Sequence, residues 1–439
     1  MVARERYARV LRAPHARAFL LSEIPVRLPI GINGLAIVLF MHAHADSYAA
    51  AGAVAAGFGA ALGLTSPVIA RLVDRRGLRR VVVPLGILHA LAMVGLVLAG
   101  LGGAPVVVCA ALAMAAGGLL PPLGSITRSL WPRILGDEAD DLMGTALAME
   151  GVLIELIFVA GPLLVAAIAA FANPAAALLL SAALFVSGLA LYLVQPPVRA
   201  WTVSAHAGSH GLFGALRSPG IRTLALVVVP MGFCFGAIEV TVPAFSEDMG
   251  SRELSGLLIA LWSVGSAIGG LAYGARAWSG PVGRRYARLA AVLPLGYLPL
   301  AAAPSVAVMA GLVVLAGVCI APTLTAGNQI AGDVAPLGAE TEAYTWPVMA
   351  LVVGISIGNW SAGAIVEASG WRTACLAAAG GATLAALLAG TRWRTLDHRP
   401  ASRVAVAPVA ADGATAGALG ACVTTPGGTA AAPERGTDG

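Results

Sequence analysis

Lysine is missing altogether from the 439 residues, and charged side chains of every kind make up only 11% of them. A soluble domain carries about 25% charged residues, so a chain this poor in charge and 58% apolar is solvated mainly by lipid. Without lysine there is no Gly-Lys-Ser/Thr phosphate loop, which excludes ATP-driven transport within this chain. His-Glu-x-x-His is also absent, and the chain is not read as an intramembrane protease or an esterase. Of five cysteines, Cys109, Cys234, Cys319 and Cys375 fall in apolar runs and Cys422 in the C-terminal tail. With no Cys-x-x-Cys and no Cys/His cluster, neither disulfides nor a zinc site is indicated, and no cofactor is expected. His42, His44 and Asp46 could hold a metal loosely, but they lack a third strong ligand, so a solvated loop and no metal site is expected. The net charge of +5 comes from arginines in loops and gives no ground for a nucleic-acid partner.

What the chain has in abundance is apolar runs of about 20 residues, each enough to cross a bilayer as a helix. They fall near 18–43, 47–70, 81–102, 105–127, 144–170 and 174–194, and again near 221–245, 254–275, 286–303, 305–327, 344–366 and 371–391. The expectation is therefore an all-α membrane protein of twelve transmembrane helices. Its divisions are a basic arm over 1–17, a six-helix half over 18–194, a linker over 195–220, a second half over 221–391 and a disordered tail over 392–439. The tail turns to Ala, Gly, Thr and Pro without periodicity. Ala43-His44-Ala45 looks like a leader cleavage site, but the run before it far exceeds the 7–15 residues of a signal core. It reads as the first span.

Arginine placement orients the spans. Twenty-four arginines fall in the N-terminal arm, the tail and the alternate loops that share their side, two (Arg252 and Arg372) fall opposite, and Arg27 lies in the membrane. That bias predicts both termini on the cytoplasmic side of an inner or plasma membrane. The halves echo each other: Ala116-Gly117 with Pro122 recurs as Ala316-Gly317 with Pro322, and Gly161 has Gly358 at matching depth. Two parallel repeats are expected.

The stretch Ala70-Arg71-Leu72-Val73-Asp74-Arg75-Arg76-Gly77-Leu78-Arg79-Arg80 reads as a charged loop between spans two and three. Five arginines and an aspartate cannot sit in hydrocarbon. Its spacing resembles the Gly-x-x-x-Asp-Arg-x-Gly-x-Arg-Arg signature of the major facilitator superfamily, with Asp74, Arg75, Gly77, Arg79 and Arg80 in place and Ala70 where the leading glycine stands. The resemblance covers about 18–391 and implies a twelve-helix fold with a central cavity opening to alternate sides. It also implies that Asp74 acts as a conformational gate against the start of span eleven, near Thr341 to Trp346. A weaker likeness, of Gly151 to Gly161-Pro162, is to the span-five motif of bacterial drug exporters. Glu155 and Leu163-Leu164 stand where that motif has further glycines.

Buried charge in a membrane costs several kcal/mol and marks candidate sites. Glu23 and Arg27 are four apart, hence on one face of span one. Glu155 in span five lies at a similar depth, so an Arg27–Glu155 pair is expected to be either a static ion pair or a proton-linked site. Glu150, Glu23 and Glu239 are the other proton-coupling candidates. Glu239 could equally reach the outer interface. Arg128 is expected to pair with Asp137, Glu138, Asp140 or Asp141. Asn33, Arg128, Asn328, Asn359 and Trp360 are cavity candidates.

These features together describe a monomeric secondary transporter rather than an enzyme, exporting a small organic molecule in exchange for protons. A proton symporter or facilitator importing a metabolite remains open, as does a transport-dead sensor or scaffold on the same fold.

Overall fold

A computed structural model describes residues 2–45, 48–203, 213–250 and 254–397. Asp46, Arg252, the centre of the linker and the tail from 398 onward lie outside the described residues. Every regular element among the described residues is a helix. Helix α1 (Val2–Arg12) precedes α2 (Ala16–Ala45), α3 (Tyr48–Arg76), α4 (Leu78–Leu101), α5 (Val106–Leu119), α6 (Leu123–Leu135), α7 (Ala139–Phe171) and α8 (Pro174–Leu193). A single turn, α9 (Pro196–Arg199), leads on to α10 (Pro219–Asp248), α11 (Ser255–Gly274), α12 (Val282–Tyr297), α13 (Val306–Gly317), α14 (Ile320–Asp333) and α15 (Glu340–Leu396). Nine helical stretches among the described residues are long and apolar enough to cross a membrane.

Several apolar runs fold differently from a plain span. The run over 105–127 is two helices, because Pro121 and Pro122 supply no backbone N–H and Leu120 turns extended between them. The run over 305–327 also divides, after Gly317. Residues 340–396 form one long helical element broken at Gly370, whose φ of 80° only glycine adopts readily. The charged stretch 70–80 is a correction: it is helical except at Gly77, where φ is 93°. Arg75, Arg76, Arg79 and Arg80 are exposed at the ends of α3 and α4.

The buried apolar side chains form two clusters, one drawn from residues between Val10 and Val198, the other from residues between Ala215 and Leu396. Within them, glycines bring backbones together, as membrane helices require in the absence of a hydrophobic drive between them. A Cβ on Gly117 would strike the Phe58 carbonyl, and one on Gly317 the Trp262 carbonyl. Gly161 presses on the backbone of Gly31, and Gly358 on the Phe233 carbonyl. The positions that echo in sequence thus make the same kind of contact in the two clusters.

The basic N-terminal segment is a packed helix. Arg6 of α1 is buried, pairs with Asp141 at 2.7 Å and donates to its carbonyl and to Thr145 Oγ1 (3.3 Å). Arg9 meets Asp141 at 3.0 Å and Glu138 at 3.4 Å. On the other side of α1, the Tyr7 hydroxyl donates to the Leu271 carbonyl of α11 at 2.7 Å. Helix α1 therefore ties the start of α7 to the end of α11.

Gly358→Val should lower the thermal unfolding midpoint in detergent, by an overpacking cost of about 1–3 kcal/mol. Gly363, on the same helix with nothing near its Cβ position, should accept valine with little change. Equal behaviour of the two variants would remove close backbone approach from the account of how α15 packs on α10.

Candidate functional site

Four ionisable side chains meet inside the first cluster of helices. Arg27 of α2 reaches Glu23 one turn earlier at 2.7 Å and Glu150 of α7 at 3.4 Å. Arg128 of α6 reaches the same Glu150 oxygen through Nε at 3.5 Å. The indole N–H of Trp131 donates to the other oxygen of Glu150. Glu23, Arg27 and Glu150 have side-chain exposures of 0–2%, whereas Arg128 keeps 13%. Arg128 is thus the member through which the cluster touches open space. Two carboxylates against two guanidiniums leave it formally neutral when all four are ionised, which is the arrangement that makes buried charge tolerable.

This arrangement corrects two expectations. The span-five partner of Arg27 is Glu150, not Glu155. Glu155 instead accepts from Ser266 of α11 at 3.0 Å, so it faces the second cluster of helices. Arg128 pairs with Glu150 rather than with the acidic run at the head of α7, where Asp141 and Glu138 are occupied by α1. Trp131 was not legible as a site residue; its place three residues after Arg128 on α6 is the only signal the sequence offers.

A second set of contacts closes one end of the molecule. Asp74, buried near the end of α3, accepts the backbone N–H of Thr341 (3.2 Å) and of Glu342 (3.1 Å) at the start of α15. Those are free donors of the first helical turn, and the helix dipole adds to their attraction for a carboxylate. Beside it Arg71, fully buried, donates to the Gly338 carbonyl and lies 3.6 Å from Glu342. Neither Arg71 nor Glu342 was singled out from the sequence. Ser129 and Thr341 approach to 3.4 Å, and Gly144 sits against Gln329, whose side chain is held by Tyr273 (2.8 Å) and Arg285 (3.1 Å). Arg79 donates to the Leu193 carbonyl at 2.9 Å, while Arg75 and Arg80 are exposed.

The remaining candidates are dispersed. Asn33 is buried and accepts from Ser181 of α8. Glu239 accepts from Asn359 at 3.3 Å, joining α10 to α15, and Trp360 beside it is 78% exposed. Asn328 is half-buried. Gly161 serves the α7–α2 contact, with Pro162 inside α7. His44 contacts the Ala104 carbonyl at 2.9 Å, and no metal-holding group of three occurs among the described residues. The string Gly354-Ile355-Ser356-Ile357-Gly358 spells a hydrolase nucleophile elbow. It lies mid-helix in α15, and Ser356 donates to Val352 one turn back, so the strand-to-helix turn that chemistry needs is lacking.

Membrane-length helices that hold paired charge in their interior and shut one end with a carboxylate on a helix terminus are built as a polytopic carrier. Residues 19–296 match the family model of the Major Facilitator Superfamily, and the chain belongs to that family of transporters. Solved structures agree on the fold. A bacterial homologue of the iron transporter ferroportin, in an outward-facing state, superposes with TM-score 0.67 at 16% identity, over 86% of this chain and 98% of that one. The human organic anion transporter MFSD10 gives 0.61 at 17%, over 88% and 98%. The Escherichia coli fucose:proton symporter gives 0.65 at 14%, over 85% and 98%. Among curated proteins no sequence matches.

Double-mutant cycles read by unfolding midpoint should separate the two glutamates of α7. Arg27→Met with Glu150→Gln should couple by about 0.5–3 kcal/mol, as contacting residues do. Arg27→Met with Glu155→Gln should be additive within about 0.5 kcal/mol. Strong coupling to Glu155 would mean that the static geometry misassigns the partner.

Proposed function

We propose that the chain is a proton-coupled secondary transporter that exports a small organic molecule by alternating access, with Glu150 as the proton-carrying group. The observation that carries this reading is the buried Glu23–Arg27–Glu150–Arg128 cluster. Three of its members have almost no contact with water, so a change of protonation there must be answered by a change of structure. A proton on Glu150 removes the charge that Arg27 and Arg128 share. Arg128, the exposed member, is then free to turn toward the cavity, and the bond that ties α6 to α7 through Trp131 weakens. Glu23 still balances Arg27 at 2.7 Å, so the fold survives the switch. Glu155 at Ser266 and Glu239 at Asn359 are second-choice carriers, because neither is paired with a cation among the described residues.

The same reading gives twelve crossings in two repeats. The stretches 106–165 and 340–396 each count as two, and α12 with the short 3-10 turn after it is one more. The positive-inside bias puts both termini and the arginine-rich end in the cytoplasm of a cell membrane. Asp74 on the N-terminus of α15 is then the cytoplasmic gate, and the structure corresponds to the outward-facing state. Asn33, Asn359 and Trp360 remain cavity candidates nearer the other end, and lipid is the surrounding solvent of a working monomer.

Proteoliposomes with an imposed pH gradient test the coupling. Glu150→Gln should abolish pH-driven substrate movement while leaving substrate counterflow, since the amide mimics the protonated state and still accepts from Trp131. If Glu150→Gln pumps normally, the proton site lies elsewhere. Asp74→Asn should cut turnover at unchanged membrane abundance, because the amide keeps one acceptor oxygen, loses the charge and turns an NH2 toward the second backbone N–H; unchanged turnover would sink the gate. Reporter fusions after Ala205 and Ala401 should both read cytoplasmic, and a periplasmic signal from either overturns the topology.

A further inference from the structure

The junction between α11 and α12 carries four arginines, Arg276, Arg284, Arg285 and Arg288, and from Leu254 to Gly332 the sequence contains no aspartate or glutamate. None of the four forms an ion pair with a described carboxylate. Two acidic groups, Asp333 of α14 and Asp397 at the end of α15, line an adjoining cavity with Gly280, Pro281 and Val282. Asp397 accepts the backbone N–H of Gly283 at 2.6 Å through Oδ1, and its Oδ2 is buried without a hydrogen-bond partner. Three of the arginines, Arg284, Arg285 and Arg288, line a cavity of about 320 Å³ whose wall also includes Trp278 and Val292. The Trp278 indole N–H donates to the Tyr273 carbonyl at 2.9 Å, which fixes the ring, and Arg276 and Arg285 lie over it at 4.9 and 5.5 Å. Arg285 is held toward Gln329 through Nη2, yet its Nε is buried with no partner. Unlike the cluster around Glu150, this is concentrated positive charge with a donor left over and space in front of it.

The helix face below the cavity says what kind of anion fits. Arg288, Val292 and Leu295 follow one another at i, i+4 and i+7, hence along one face of α12. All three are exposed, Leu295 at 67%. A guanidinium at the top of an apolar stripe matches an amphiphile with an anionic head and a hydrocarbon tail, not a free anion. Trp278 and Trp393 flank the site, with Arg284 lying 4.7 Å over the Trp393 ring, and tryptophan of this kind marks the headgroup level of a bilayer. Basic pockets between membrane helices on the cytoplasmic side suit anionic headgroups. We infer that the α11–α12 junction is a binding site for one anionic phospholipid, with its phosphodiester held by Arg284, Arg285 and Arg288 and its acyl chain lying on Val292 and Leu295. The inference is independent of the proton-coupling reading: it concerns the lipid-facing side of α12, and its test measures no transport.

Native mass spectrometry of the full chain in neutral detergent, titrated with phosphatidylglycerol or phosphatidylcholine, tests it directly. One phosphatidylglycerol should bind at least tenfold more tightly than phosphatidylcholine and should weaken as salt rises. Arg284→Gln with Arg288→Gln, both exposed positions, should lose that one lipid. Arg12→Gln with Arg199→Gln, which removes equal charge from exposed positions elsewhere, should keep it. Millimolar inorganic phosphate should fail to displace the lipid; displacement by phosphate would reassign the site to a soluble anion. Equal binding of the two lipids, or equal loss in the two double variants, would overturn the proposal.

Discussion

The cost of removing an ionised group from water governs where almost every charge in this protein lies. Desolvating one carboxylate or guanidinium costs several kcal/mol even after relaxation, and only a close partner of opposite sign offsets it. The chain meets that cost in two ways. Many of its described arginines are exposed at helix ends, as Arg75, Arg76, Arg79 and Arg80 are, or stack on tryptophan, as Arg276 and Arg284 do. The few that enter the interior are compensated: Arg27 and Arg128 by Glu23 and Glu150, Arg71 by Glu342 and the Gly338 carbonyl. A buried set balanced to neutrality is stable only while its membership is constant. Adding a proton or moving one arginine unbalances it, and the proposed coupling would use that sensitivity.

The closed end shows how that sensitivity reaches the rest of the molecule. Contacts between the helices of the two apolar clusters include Asp74 and Arg71 on the start of α15, Ser129 near Thr341, Gly144 against Gln329, Glu155 with Ser266, and α1 lying between α7 and α11. Each is polar, and each uses a backbone group or a short side chain on at least one side. An apolar contact joins them as well, with Gly274 of α11 lying against Ala148 of α7. The hydrogen bonds among these contacts are ones that water can replace. The contacts within each cluster, such as Gly358 on Phe233, have no such substitute.

Much of this was legible in the sequence, for reasons that also mark the limit. Apolar length reports where a chain can cross lipid, and the Asp74 stretch together with the start of α15 could be named as partners because the family signature fixes both. Depth along a helix is equally readable, since each residue adds about 1.5 Å. Rotation about the helix axis is not. Glu150 and Glu155 are five residues apart, about 140° around α7. One therefore faces Arg27 and the other Ser266, yet the hydrophobic pattern of α7, apolar all round, does not say which. The same ambiguity hid Arg128's turn toward Glu150 and the burial of Arg71. The charged stretch misled in another way. Charge requires water, but a helix that outruns the membrane reaches water as well as a loop does, and only Gly77 had to leave helical geometry. The lipid-facing groove on α12 was legible only in part: its arginines stand out in the sequence, whereas the unpartnered Nε of Arg285 and the space before it exist only once α11, α12 and α15 are packed.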